Sequence, residues 1–210
     1  MRSRKSAETR KTEIVDAALK LADELGPDRL TTQAIAQSVG LTQPGLFRHF
    51  PKKSTLWEAV ATRIGNLMRA GWDAAADGRR SPSDQIRRLI GTQLRLIQAT
   101  PAIPAILFSR ELHSKNEGLR QAFFGLMGRF HQLIAGLVGQ AQMAGELRRD
   151  FSPEDAAFLI VGLVQGLAVR WSLSGRRFDL ITEGSRLLEL QLAGFSQSRD
   201  LNPPAPEVSS

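Results

Sequence analysis

Apolar side chains recur every three to four residues along almost the whole of this chain, and no stretch alternates with period two for long enough to form a strand. That period commits the fold to helices packed on helices, so we expect an all-α protein. Ile14, Ala18, Leu21, Ala22 and Leu25 set the stripe of a first helix over 9–25, which Gly26 and Pro27 end. Leu56, Val60, Ile64 and Leu67 predict a long helix over 53–75. A turn-rich run, DGRRSP at 77–82, marks a boundary. Beyond it the spacing predicts helices over 83–99, 101–113 and 118–144, one that starts at Pro153, and a last one over 179–197. Pro153 suits a first helical position, and Glu154 and Asp155 suit a first turn.

The segment 31–56, TTQAIAQSVGLTQPGLFRHFPKKSTL, reads as two short helices about a glycine turn, followed by the start of a third. Thr31 or Thr32 caps a helix that ends near Ser38, Gly40 makes the turn, and Thr42 caps a helix over 43–49. Pro44 is tolerated in that first turn, where no amide donor is needed, and Pro51 breaks the chain again. This is a helix-turn-helix, whose second helix enters the DNA major groove.

The charge agrees with that reading. With 28 Lys and Arg against 21 Asp and Glu, the net charge is +7, which favours nucleic acid first and an anionic membrane surface second. Residues 1–12 hold Arg2, Arg4, Lys5, Arg10 and Lys11 against one acid, Glu8. They are either a solvated terminus or an arm that meets phosphates. The absence of cysteine excludes disulfides, thiolate metal sites and thiol nucleophiles, and fits a reducing cytoplasm. Residues 1–12 have no apolar leader region. The longest apolar run, 156–169, is too short for a bilayer and is interrupted by Gln165, so no membrane partner is expected. His49, His113 and His131 are scattered, and there is no HExxH, phosphate-binding loop or nucleophile elbow. We expect no enzyme activity, cofactor or metal.

The same stretch, extended to Val60, resembles the TetR family of bacterial transcriptional regulators. The resemblance rests on Thr31, Thr32, Gly40, Thr42, Gly45, Leu46, Phe47, Phe50 and Lys53, and covers about a third of the chain. The remainder matches in general plan. The resemblance implies a head at 1–55, after a basic arm at 1–8, and a helical effector-binding and dimerisation domain at 56–197. Residues 198–210 read as a disordered tail.

DNA contacts are then expected from Thr31, Thr32, Thr42, Gln43, Pro44, Gly45, Phe47, Arg48, His49 and Lys53. Gln43 suits adenine and Arg48 suits guanine or phosphate. His49 and Lys53 look like phosphate contacts that fix register. Pro44 and Gly45 keep the face thin, close to thymine methyls. Phe47 stands where the family commonly has Tyr, so it packs either on sugar or in the head's core. Lys52 stands where Ser or Asn often caps the next helix.

The helix from Pro153 has two apolar faces. Ile160, Val164, Leu167 and Trp171 form one, and Phe158, Val161, Gly162 and Val169 the other. One face needs a partner, and Gly162 and Gly166 would permit close approach. By resemblance the last two helices form a dimer interface, with Phe158, Gly162, Gly166, Leu188, Leu192 and Phe195 as contacts. Candidates for an effector pocket are Phe108, Glu111, Phe124, Met127, His131, Gln165 and Trp171, each of which would serve equally as core or solvated surface. The expected effector is a small lipophilic molecule, neutral or cationic. The expected function is a homodimeric repressor released from a double-stranded operator by that ligand. The alternative is an architectural or cell-division factor of the same fold without an effector.

Overall fold

The computed structural model describes residues 6–76 and 78–196, and among these there are ten helices and no strand. The first, α1 (Ala7–Leu25), starts where the Ser6 hydroxyl accepts from the Thr9 amide and ends at Gly26, with φ of +84°. The expected arm therefore stops earlier than residue 8, because Ala7 and Glu8 are already helical. Of the bases at 1–12, Arg10 and Lys11 lie in α1 and pair with Glu13 and Glu8. Arg2, Arg4 and Lys5 lie outside the described residues, as does the tail expected at 198–210.

Then come α2 (Thr32–Ser38), α3 (Gln43–Phe47) and α4 (Lys53–Ala75). The body continues with α5 (Pro82–Ala99), α6 (Ala102–Leu107), α7 (Arg110–Lys115), α8 (Glu117–Met143), α9 (Pro153–Leu173) and α10 (Leu180–Phe195). The single helix expected over 101–113 is in fact two. Ser109 leaves helical geometry, and its hydroxyl accepts from the Leu112 amide to cap α7. That hydroxyl also donates to Asp28 Oδ1 at 2.5 Å, so the break fixes α7 to the turn after α1.

One apolar cluster runs through the protomer from Ile14 to Leu192. The helix α4 carries it from head to body. At its start Leu56 and Trp57 are buried, and near its end Trp72 stacks on Phe130 of α8 with ring centroids 4.8 Å apart. The Trp72 Nε1–H donates to Gln93 Oε1 at 2.8 Å, which satisfies a buried polar pair. Close approach between helices depends on glycine at two places. A Cβ on Gly71 would lie 2.8 Å from Leu96 Cδ1, and one on Gly184 would collide with Leu94, which is fully buried. An Arg87–Glu189 ion pair at 2.8 Å also ties α5 to α10, and hydrogen bonding to Glu189 holds the Arg87 pKa up.

By length and composition α9 could cross a membrane, with mean hydropathy 1.7 over its most apolar window, of which 44% is buried. Much of that apolarity is explained by packing on α8 and α10. The rest is exposed.

Candidate nucleic-acid interface and helical-body surfaces

The head is built around a small apolar interior. Ile35 and Ala36 of α2, Leu46 of α3 and Phe50 just beyond it are all buried. The turn between the two helices places Gly40 at φ +68°, a conformation that strains any residue with a Cβ. Thr31 caps α2 by accepting from the Ala34 amide, and Thr42 caps α3 by accepting from the Gly45 amide. Thr32 is the other possible cap, and it has a different role. It is 8% exposed, and its hydroxyl accepts from Gln43 Nε2 at 2.8 Å, which ties α2 to α3. This burial removes Thr32 from the surface as a DNA contact.

With Leu46 turned inward, Thr42, Gln43, Pro44, Phe47 and Arg48 stand exposed, and Gly45 and His49 are half-buried beside them. Phe47 lies at the surface, since Leu46 and Phe50 fill the interior. The side chains of Arg48 and His49 make no hydrogen bond or ion pair with any described residue. Lys53 behaves differently from expectation. Its Nζ donates to the Leu30 carbonyl at 2.7 Å, across a crevice of 290 Å³ whose lining includes Asp28, Trp57, Glu111 and Lys115. The Glu111 carboxyl lies below its ordinary range because Lys115 bonds to it, with a smaller contribution from Lys53. Lys52, the N-cap residue of α4, makes no side-chain capping bond.

The seven residues expected to share an effector pocket do not line a common space. Phe108 and Gln165 flank a void of only 20 Å³ between α5, α6 and α9. Glu111 belongs to the crevice beside Lys53. Phe124 stands 80% exposed at the rim of a groove between α4 and α8. Met127 packs on the core. His131 bonds through Nε2 to the Glu154 carbonyl at 3.0 Å and lies against Phe158, ring centroids 4.0 Å apart. Trp171 is buried with the Arg176 guanidinium 5.6 Å from its ring centre.

Sequence reasoning missed the spaces the body does contain. A crevice of 260 Å³ opens between Trp72 and Ala75 of α4, Leu89 of α5, and Leu133 and Leu137 of α8. The groove at Phe124 measures 650 Å³. Gly125, Gly128 and Gly136 on α8 were the available signal, because a Cβ on any of them would meet open space.

The residues expected at a subunit interface also divide. Phe158, Gly162 and Gly166 are exposed on α9, and neither glycine is required by packing within the protomer. Leu188 and Leu192 are 2% exposed and turn inward, so they are not available to a second subunit. Phe195 is half-buried against Phe151, 5.1 Å between ring centroids. On α10 the large exposed apolar residue is Leu190.

Known proteins share both halves of this arrangement. A sequence model described as "Bacterial regulatory proteins, tetR family" matches residues 14–60, and one described as "Tetracyclin repressor-like, C-terminal domain" matches residues 104–179. The nucleoid occlusion factor SlmA of Vibrio vulnificus (strain YJ016) is 24% identical over 171 residues, which span 81% of this chain and 87% of that protein. Two solved structures share the fold. The regulator FadR of Bacillus subtilis, in complex with stearoyl-CoA, superposes with a TM-score of 0.74 at 18% identity, covering 88% of this chain and 98% of its own. A regulator from Saccharomonospora viridis, in complex with choline, gives 0.78 at 20% identity, covering 89% and 96%. The chain belongs to the TetR family of bacterial regulatory proteins and is a DNA-binding transcriptional regulator.

Proposed function

We propose that this protein is a homodimeric repressor that reads a two-fold symmetric operator with α3 and leaves it when a small molecule binds the helical body. The observation that carries the reading is the outer surface of α3. Gln43 and Arg48 offer amide and guanidinium donors there, Thr42, Pro44 and Phe47 stand beside them, and the turn beneath is locked by the Gln43–Thr32 bond. Gln43 reads a base edge, while Thr31, Arg48 and His49 hold phosphates. Lys53 joins them by giving up the Leu30 carbonyl.

The second subunit covers α9. Phe158, Leu159, Gly162, Gly166 and Leu173 share an exposed face, with Leu190 of α10 also exposed. Glycines with open space above them allow a second α9 to approach closely. The head is 1–55 and the body 56–197, with α4 running from one into the other.

Binding selection from random duplex DNA tests this reading. The expected product is a palindrome whose half-sites are centred about 10 base pairs apart, one helical turn. Recovery of unrelated sequences with affinity set by salt alone sinks it. A second reading, a chromosome-bound factor without effector, draws support from the SlmA relatives. Dispersed genomic sites and no ligand-dependent release would favour it.

A further inference from the structure

The 260 Å³ crevice and the 650 Å³ groove are both lined by Gln132, so they adjoin along α4 and α8. The two differ in chemistry. The crevice is walled by Trp72, Leu89, Leu133 and Leu137, and its charged group is Asp73. The groove has a floor of small residues, including Ala61, Gly65, Gly125 and Gly128, and carries two arginines, Arg69 and Arg129. No acid is present among the described residues that line it. Arg69 bonds to the neutral Asn66, and the Arg129 side chain makes no hydrogen bond or ion pair with any described residue.

From these observations we infer that the two spaces act as one channel between α4 and α8 that binds a long-chain carboxylate, with the chain in the crevice and the head group on Arg69 and Arg129. Charge fixes the orientation. Asp73 would repel a carboxylate at the crevice end, whereas two guanidinium groups without an acidic partner can form paired, charge-assisted hydrogen bonds at the other. Size agrees as well. Residues 61–75 of α4, which border the two spaces, rise about 21 Å at 1.5 Å per residue. At about 30 Å³ per small group, the crevice holds a chain of roughly eight to ten carbons. The exposed ring of Phe124 lies at the rim of the same groove, where it can cover the chain's first carbons. The sequence-based expectation of a neutral or cationic effector does not fit this charge. The inference rests on the effector reading above, and it names the ligand class and the site.

The test is calorimetric titration of sodium dodecanoate, below its micelle concentration, into the full-length protein. One saturable site per protomer is expected. The double variant Arg69→Gln, Arg129→Gln should weaken binding by about tenfold or more, as expected for loss of charge-assisted hydrogen bonds. Gly136→Leu should abolish it by filling the crevice from a position where a Cβ has open space. Dodecyltrimethylammonium, with the same chain and opposite charge, should bind at least tenfold more weakly than dodecanoate. Equal binding of the two ions, indifference to both variants, or binding to phosphatidylglycerol vesicles without binding of free dodecanoate overturns the inference. Operator titrations on the same samples separate the two readings. DNA bound selectively with no dodecanoate site sinks the inference alone. Dodecanoate bound in the channel without any loss of operator affinity keeps the site and sinks its role as effector.

Discussion

The head and the body leave different chemistry on their surfaces. In the head the exposed row on α3 includes an amide, a hydroxyl and a guanidinium, and Phe47 is its one large apolar member, at 37% exposure. In the body the exposed rows are largely apolar: Phe158, Leu159 and Leu173 on α9, and Leu190 on α10. A polyanion is bound by donors that exchange one set of hydrogen bonds for another, and the gain is sensitive to salt. A second subunit is bound by removal of apolar area from water, which salt hardly screens. The two regions therefore depend on different forces and respond to different perturbations.

The largest test of this contrast is in the head's interior. Leu46→Ala removes a side chain that is 1% exposed and should cost about 2–5 kcal/mol of head stability. Operator binding should be lost while the dimer persists in sedimentation. Loss of the dimer as well would show that head and body fold as one unit. Phe158→Glu is the converse. It places a charge on the α9 face and should cost at least about 2 kcal/mol of association, with a monomer appearing at low micromolar concentration. An unchanged dimer would remove α9 from the interface.

Two glycines sharpen the difference between inward and outward faces of the body. Gly184→Ala meets Leu94 in a filled space and should lower stability by about 1–3 kcal/mol in denaturant unfolding. Gly162→Ala meets nothing within the protomer, so its effect should be confined to association. If both variants changed only stability, Gly162 would have no part in pairing. In the head, Gln43→Ala should cost about 1–3 kcal/mol on the selected operator and relax one base pair, with the salt slope of binding nearly unchanged. A changed slope with selectivity intact would place Gln43 on phosphate.

The smallest effect concerns acid. Asp179 caps α10, and hydrogen bonds from Thr182 and from Gln98 hold its carboxyl below the ordinary aspartate range. A lowered folded-state pKa adds stability above the unfolded value, and that stability is lost as the pH falls through the folded one. Thermal melts should therefore show Asp179→Asn less stable than the parent at neutral pH, with the gap narrowing below about pH 4. A constant gap would mean that the capping geometry matters and the charge does not.

Short-range signals made the head legible in advance. Thr31, Gly40 and Thr42 act within three or four residues of where they stand, and α2 and α3 begin where those caps require. The start of α9 at Pro153 and the span of α4 follow from equally local chemistry. The break at Ser109 was not legible as a boundary, because its cap is joined by a long-range bond to Asp28. Lys53 looked free in sequence, and the Leu30 carbonyl that holds it is 23 residues away.

By itself, then, the sequence determined the helical period, the caps and the helix-turn-helix with its outward polar row. Each of these depends on dihedral preferences and on spacing within a turn or two. The tertiary structure alone decided which apolar side chains stay exposed. The α10 residues Leu188 and Leu192 look as suited to a partner as Leu190 does, and the rotation of α10 against α5, permitted by Gly184 beside Leu94, turns the first two inward and the third outward. It also decided that Arg69 and Arg129, sixty residues apart, share one groove, because helix packing places them there and no local signal does.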